Sequence, residues 1–590
     1  MSRRKLILPL LGLVSFALML PSLSLSGEAV VASENKIILK ILNSEDYIYL
    51  NNPEEGYLED DLVVQFEHYM LEEYGKNVSV IYETSDTNES IYNDLLSGRT
   101  SYDLVNTSDY MCQKMAREGL TTKIDRSLIP NYTDYVSESI GDRLDQIEVK
   151  MPDGSIEYLS DYSIGYMWGT LGLLFNPNYE KFPDGCDPIN DMTSFNILWE
   201  PTYKGTTTIK DSMRDTMAVA IIHQYNDLFT SYKKQYDEGE IDAIEYNSKL
   251  SYLFNIISNV DDESLDETLQ GVKDSLLSLK NNIFGLEVDS GKQDMVTGKI
   301  GINLAWSGDA VYSMDQAEDE RDIELYYSIP EMGSNIWFDA WSIPTNPNRS
   351  EETYNVACEF LNFISDPINA AQNMDYTGYT PFIAGDAILD IARDWYDIRT
   401  DYIYYVDEDE NYYSLYYLDP IEEEECEVWY EDMHFEEDND PSYNETVLYY
   451  YDENEEIVEY GLYNTDLLMD PSWEEVDLSY FFNGTLDEYE DDVDTIFYTD
   501  YYKEENGCVG RQFYCQYPDE DVVIRCCVMD DYGERNTKAL KIWESFKSNT
   551  LPTWAIILLT IELALIVGFM IFLITSKNVK KALRKKRQNN

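Results

Sequence analysis

Two short segments of the chain place a tryptophan close to an acid. Residues 305–310 (AWSGDA) contain Trp306, and residues 333–344 (GSNIWFDAWSIP) contain Trp337 and Asp339 at the edge of a predicted strand. Aromatic rings and carboxylates are the groups that hold an organic cation, because the rings cover its methylene groups and the carboxylates balance its charge. The alternative is that the tryptophans pack in a core beside solvated acids, which is common in folded proteins.

The elements that must position these residues alternate between strand and helix. Short apolar runs predict strands, and apolar residues at helical spacing predict helices. The predicted strands cover residues 36–42, 78–82, 102–105, 300–306 and 325–329, and the predicted helices cover 58–74, 89–96, 110–118 and 351–365. Such alternation is typical of an α/β layered fold with a mainly parallel sheet.

Composition excludes several classes of function. The 590 residues are 44% hydrophobic and 14% aromatic, which indicates folded domains. The net charge of -71 excludes nucleic acid as a partner, since binding phosphates requires a basic surface. The three histidines lie far apart and no pairing of nucleophile and base is visible, so we expect neither an enzyme, nor a metal site, nor a cofactor.

Both ends of the chain point to a membrane. Basic residues followed by an apolar run predict a secretory signal over residues 1–33. Residues 554–575 are apolar for long enough to span a bilayer, and the tail at 576–590 is strongly basic. The positive-inside rule places that tail in the cytoplasm. We therefore expect a cell-membrane protein whose main part faces outward on one C-terminal transmembrane helix.

An acidic, tyrosine-rich block is predicted as an insertion over residues 386–505. Residues 401–500 contain neither Lys nor Arg. Runs of aromatic and β-branched residues within it predict hairpins. It is either an exposed, solubilising insertion or an electrostatic collector that concentrates cations near a binding site.

The cysteines leave two interpretations open. Four of them cluster near the end of this block, and a disulfide between Cys508 and Cys515 fits an extracellular location. A zinc site is the competing interpretation, but no histidine lies nearby.

Several further strings, together with the two Trp-acid segments, resemble one known family in order and approximate spacing. These strings are 43–47 (NSEDY), 102–105 (YDLV), 108–110 (SDY), 162–170 (YSIGYMWGT), 211–215 (DSMRD), 376–381 (YTGYTP) and 516–520 (QYPDE). The family is that of the extracytoplasmic spermidine/putrescine-binding (solute-binding) proteins of ABC-type polyamine importers. The resemblance covers residues 36–385 and resumes at 516–547.

This resemblance implies a two-lobed periplasmic-binding-protein-like α/β fold with a ligand cleft between the lobes. Lobe 1 would comprise residues 36–168 plus 338–380, and lobe 2 would comprise 169–337 plus 381–385 and 506–548. The implied function is that of a membrane-anchored polyamine-binding subunit that delivers its ligand to a separate ABC permease. The alternative is a cell-surface interaction protein that keeps the fold and binds a partner or calcium through its acidic insertion.

The resemblance also implies a set of ligand-binding residues. A polyamine carries two or three ammonium groups joined by methylenes, so it needs spaced acids with aromatic walls between them. The matching positions are Tyr47, Ser108, Tyr110, Ser212, Asp215, Trp306, Trp337, Asp339 and Tyr379.

Three departures from the family pattern leave the choice between spermidine and putrescine open. Ser44 and Glu45 stand where relatives often carry Trp and Thr, and Met529 lies near a position that is Gln in some of them. In the 211–215 string we expect Asp211 to cap the helix that follows.

Overall fold

The structure is a computed structural model. It describes residues 36–53, 57–85, 87–98, 100–288, 290–398, 473–486 and 495–548, together with strands at 404–406, 412–414, 433–437, 445–451 and 457–464. The predicted signal (1–33), transmembrane helix (554–575) and basic tail (576–590) lie outside the described residues. Within the described ranges, no helix is both long and apolar enough to cross a membrane.

Strands and helices alternate through the first 120 residues and recur after residue 300. In chain order the strands are β1 (Ile37–Asn43), β2 (Val78–Thr84), β3 (Leu104–Ser108), β4 (Thr121–Thr122), β5 (Glu148–Lys150), β6 (Ile156–Tyr158), β7 (Ser163–Phe175), β8 (Thr207–Lys210), β9 (Gly285–Glu287), β10 (Ile302–Trp306), β11 (Tyr326–Ser328), β12 (Ile336–Pro344), β13 (Thr380–Pro381), β14 (Tyr404–Val406), β15 (Tyr412–Ser414), β16 (Met433–Glu437), β17 (Glu445–Tyr451), β18 (Ile457–Asn464), β19 (Glu474–Asp477), β20 (Ile496–Thr499) and β21 (Val509–Gly510).

The helices occupy the segments between these strands. They are α1 (Leu62–Tyr74), α2 (Asn88–Ser97), α3 (Asp109–Arg117), α4 (Pro130–Tyr135), α5 (Glu138–Asp145), α6 (Pro188–Asp191), α7 (Met213–Gln224), α8 (Asn226–Asp237), α9 (Ala243–Phe254), α10 (Ile256–Asn259), α11 (Asp262–Leu279), α12 (Ser290–Val296), α13 (Ser307–Arg321), α14 (Glu351–Ile364), α15 (Pro367–Thr377), α16 (Asp386–Tyr396), α17 (Ser479–Phe482), α18 (Gln512–Gln516), α19 (Glu520–Arg525) and α20 (Asn536–Lys547). The predicted helices over 58–74, 89–96, 110–118 and 351–365 correspond to α1, α2, α3 and α14, with ends shifted by a few residues.

One large sheet organises the fold, with strand order β2-β1-β3-β12-β7-β10-β8-β9. Its two wings are parallel, as predicted: β1 pairs with β2 and β3, and β8 pairs with β9 and β10. Its centre is antiparallel, because β12 runs opposite to both β3 and β7, and β7 runs opposite to β10. The prediction of a mainly parallel sheet was wrong for these central strands.

The two central strands connect the wings. β7 is buried at every one of its 13 positions, and this explains why its sequence lacks the alternation of a half-exposed strand. β12 pairs with it from Ile336–Thr170 to Ser342–Ser163. The register shifts between Asp339 and Ala340, so that Tyr166 is left as a bulge in β7.

Both flanks of the acidic block pack in the main core. Ile388 and Leu389 of α16 are buried there, and so are Phe481 and Phe497 near its other end. The described strands inside the block form a hairpin, β14–β15, and a three-stranded antiparallel sheet, β16-β17-β18. The described residues up to 536 belong to one compact unit, and those from 537 to 548, most of α20, belong to a second. The lobe boundaries drawn from the resemblance stay a prediction.

Candidate ligand-binding site

Two carboxylates are brought together where the central strands meet α7. Asp339 is the one partly exposed residue of β12, and it faces Ser108 across the β3–β12 pairing. Tyr47 Oη donates a hydrogen bond to Asp339 Oδ2 at 2.8 Å. Burial raises the pKa of Asp339, the nearby charge of Asp215 raises it further, and hydrogen bonds from Ser108 and Tyr47 oppose the shift.

Asp215 lies in the first turn of α7 and is 7% exposed. Burial raises its pKa, against hydrogen bonds from Ser212 and Trp306 and the charges of Lys210 and Arg214. Among the described residues, neither Asp215 nor Asp339 forms an ion pair with a lysine or arginine. No direct ion pair among the described residues therefore neutralises either carboxylate.

Aromatic rings surround the Asp339 side of this pair. The ring of Tyr47 packs edge-on against those of Tyr166 and Tyr379, with centroids 5.5 and 5.3 Å away. Trp337 meets Tyr379 at 5.6 Å and donates its indole N–H to the Thr170 carbonyl at 3.2 Å. These edge-to-face contacts hold the rings in place.

Tyr110 lies at the start of α3, two residues after Ser108. Asn88 Nδ2 donates to Ser108 Oγ at 2.9 Å and to Tyr110 Oη at 3.2 Å. The Arg214 guanidinium lies 4.9 Å from the Tyr110 ring centroid and 3.5 Å from that of Tyr532. One face of Tyr110 is thus already in contact with a cation of the protein.

A buried lysine lies next to Trp306. Lys210, the last residue of β8, is 1% exposed, and its Nζ lies 4.0 Å from the Trp306 ring centroid. It pairs with Asp309 Oδ2 at 2.9 Å and with Glu287 Oε1 at 3.3 Å. Tyr379 Oη donates to the other oxygen of Asp309 at 2.8 Å. Lys210 holds the pKa of Asp309 below its usual value in spite of burial.

A comparison with protein families identifies the chain at the level of the family. The model of the bacterial extracellular solute-binding protein family matches residues 62–387. The chain belongs to this family. The resemblance inferred from the short strings is confirmed at this level, and so is the two-lobed α/β fold of such binding proteins.

Curated relatives of this solute-binding protein are named for polyamines. The spermidine/putrescine-binding periplasmic protein of Escherichia coli (strain K12) is 26% identical over 331 residues, covering 55% of this chain and 78% of the relative. The putrescine-binding periplasmic protein SpuD of Pseudomonas aeruginosa (strain UCBPP-PA14) is 24% identical over 371 residues, covering 61% and 83%. These relatives are named as binding proteins, so the expectation that the chain is not an enzyme is confirmed, and the interaction-protein alternative is not favoured.

A solved structure gives a similar match. The putative spermidine/putrescine ABC transporter protein from Listeria monocytogenes is 27% identical, covers 60% of this chain and 85% of its own, and superposes with a TM-score of 0.42.

The predicted site residues lie in one region of the structure. Two of them, Ser212 and Trp306, also make contacts that stabilise the fold itself. Tyr47, Ser108, Trp337, Asp339 and Tyr379 are linked by the contacts above. Ser212 is the N-cap of α7 and accepts the Asp215 backbone N–H at 3.4 Å. The expectation that Asp211 caps this helix was therefore wrong. Trp306 borders the site through Asp215, yet Lys210 occupies one face of its ring. Ligand contact by all nine residues stays a prediction.

Sequence reasoning missed three charged residues of this region: Lys210, Arg214 and Asp109. Asp109 is buried and accepts the Phe338 backbone N–H at 3.0 Å. Arg214 stood inside the 211–215 string, and Asp109 inside 108–110, so those strings could have pointed to both. Lys210 had no such signal, because a lysine at a strand end ordinarily lies in solvent.

The cysteines and possible metal ligands concern the remaining interpretations. Cys508 and Cys515 are free and buried in the structure, which does not contain the disulfide considered between them. In the part of the chain that the structure describes, no group of His, Cys, Asp and Glu has the arrangement of a metal site.

Proposed function

We propose that this solute-binding protein binds a polyamine between Asp215 and Asp339, with Tyr47, Trp337 and Tyr379 covering its methylene chain. The observation that carries the proposal is the pair of carboxylates that share no ion pair with the described lysines and arginines. Each ammonium group of a diamine would compensate one of them through charge-assisted hydrogen bonds.

Electrostatic cost explains why the site favours a cation. Burial disfavours the ionised form of both acids, and each carboxylate also repels the other. A bound dication removes this cost for both at once. The rings of Tyr47, Trp337 and Tyr379 then add cation–π contacts worth about 0.5–2 kcal/mol each.

The finer assignment is a membrane-anchored receptor outside the cytoplasm that delivers its ligand to a separate ABC permease. Membership of the extracellular solute-binding protein family and the periplasmic binding proteins among the relatives support a location outside the cytoplasm. The apolar segment 554–575 and the basic tail that follows support the anchor. Fractionation of cells that express the full-length chain, with protease applied from outside, tests both the location and the orientation.

Calorimetry of the purified full-length protein with putrescine and spermidine tests the binding proposal. We expect Asp215→Asn and Asp339→Asn each to weaken binding by about 2–5 kcal/mol, because each removes the partner of a buried ammonium. Asp294→Asn is the matched control, since Asp294 pairs with Lys299 at 2.8 Å away from these contacts. Normal polyamine binding by both cleft variants, or no binding by the wild type, would overturn the proposal.

A further inference from the structure

Lys210 is a cation built into the wall of the proposed site. Its ammonium group lies over Trp306, and the Val288 carbonyl accepts a hydrogen bond from it at 2.9 Å. Asp309, its closest carboxylate, is tied to Tyr379. The side chain thus has the surroundings that a ligand ammonium would have: a ring face, a carboxylate and a carbonyl.

Charge is balanced around this lysine. Lys210 and Lys292 face Asp309, with Lys292 Nζ at 3.6 Å from Asp309 Oδ1, and Lys210 also faces Glu287. Two cations therefore meet two acids, so this corner leaves no charge for a ligand to compensate. Asp109 accepts the backbone N–H groups of Phe338 and Tyr110. The acids left to face a ligand ammonium are therefore Asp215 and Asp339.

We propose that Lys210 acts as a resident ammonium group that limits the ligand to two positive charges, so that the cleft selects a diamine over a triamine. This inference rests on the proposed function, whose ligand class it narrows. A third ligand ammonium would either displace Lys210 from Asp309 or remain unpaired beside it, and an unpaired buried charge is costly.

The test compares putrescine with spermidine on the full-length protein by calorimetry. Wild type is expected to bind putrescine more tightly. Lys210→Met leaves Asp309 without its nearest cation, so the ratio of spermidine to putrescine affinity should rise at least about 10-fold. The double variant Lys210→Met/Asp309→Asn removes both charges and should return the ratio toward that of wild type. Such a return would show that the charge of Lys210, and not the size of its side chain, sets the ratio.

Two further variants keep the test decisive. Lys299→Met removes a lysine that pairs with Asp294 and should leave the ratio unchanged. If Lys210→Met does not fold, Asp309→Asn tests the same claim in the opposite direction. In that variant Lys210 keeps only Glu287 as a partner, so its positive charge is less balanced. The preference for putrescine over spermidine should then increase. A ratio that moves in neither variant overturns the inference, while failure of wild type to bind any polyamine overturns the proposed function instead.

Discussion

At the scale of single residues, the buried acids of the site differ in how the protein shifts their pKa values. The pKa values of Asp215 and Asp339 are raised by burial, whereas that of Asp309 is lowered by Lys210 and Lys292. A carboxyl whose folded pKa is raised stabilises the fold below its unfolded pKa and loses that contribution as pH rises through the folded pKa. A carboxyl whose folded pKa is lowered contributes stability above its unfolded pKa and loses it as pH falls.

This difference predicts opposite effects of matched substitutions on the ligand-free protein. At neutral pH, Asp215→Asn should raise the free energy of unfolding by about 1 kcal/mol, since it removes an uncompensated charge. Asp309→Asn should lower it, since it removes the partner of Lys210. Denaturant unfolding at neutral and acidic pH measures both, and the gain from Asp215→Asn should shrink on acidification. Equal losses in the two variants would contradict the charge assignment.

The two tryptophans of β12 differ in what they contact. Trp337 packs against Tyr379, whereas Trp341 is fully buried against Tyr166 and Phe360. We expect Trp337→Phe to remove most of the change in intrinsic fluorescence on adding putrescine and to cost about 1 kcal/mol of affinity. Trp341→Phe should keep the fluorescence response and lose thermal stability. An unchanged response in Trp337→Phe would place the ligand elsewhere.

At the scale of elements, the contacts of its flanks predict which part of the acidic block can be removed. Ile398 donates its N–H to the Tyr498 carbonyl at 2.7 Å, and Tyr498 pairs with Glu475. Neighbouring strands lie about 4.8 Å apart, so the chain on either side of residues 399–472 is separated by about 10 Å. A linker of a few Gly and Ser residues can close that gap.

Deleting 399–472 with such a linker should therefore leave both folding and equilibrium affinity for putrescine nearly unchanged. Deleting the whole predicted insertion, 386–505, should abolish cooperative unfolding, because it removes buried side chains of the main core such as Leu389 and Phe481. Thermal unfolding followed by circular dichroism distinguishes the two deletions. Similar behaviour of both would show that the flanks contribute little.

Local patterns predicted the elements better than their pairing. Apolar periodicity located β1 to β3, α1 to α3 and α14 within a few residues, because it reports burial of nearby side chains. The antiparallel pairing of β7 with β12 joins segments about 170 residues apart, and no local pattern encodes that contact. Lys210 was missed for the same reason, since its partners Glu287 and Asp309 come from distant elements.

At the scale of the whole molecule, net charge predicts how the ligand arrives. A formal charge of -71 attracts cations over about a Debye length, which is about 8 Å at physiological salt and about 30 Å at 0.01 M. The association rate of putrescine, measured by stopped-flow fluorescence, should therefore fall with added salt while the dissociation rate changes little. The 399–472 deletion should lower the association rate at low salt only. A salt-independent rate would exclude steering.

The bulge in β7 gives the central sheet a mechanical role. Tyr166 is the residue of β7 without a partner in β12, and its hydroxyl donates to the Tyr47 carbonyl at 2.7 Å, so this irregularity connects the sheet to the residue that hydrogen-bonds Asp339. β12 pairs with β3 of one wing and β7 pairs with β10 of the other. We therefore expect a change in the angle between the wings to twist β7 and β12 near the bulge and to turn the carboxylate of Asp339. Ligand binding and closure of the cleft would then occur together. We expect ligand to slow amide hydrogen exchange in these two strands.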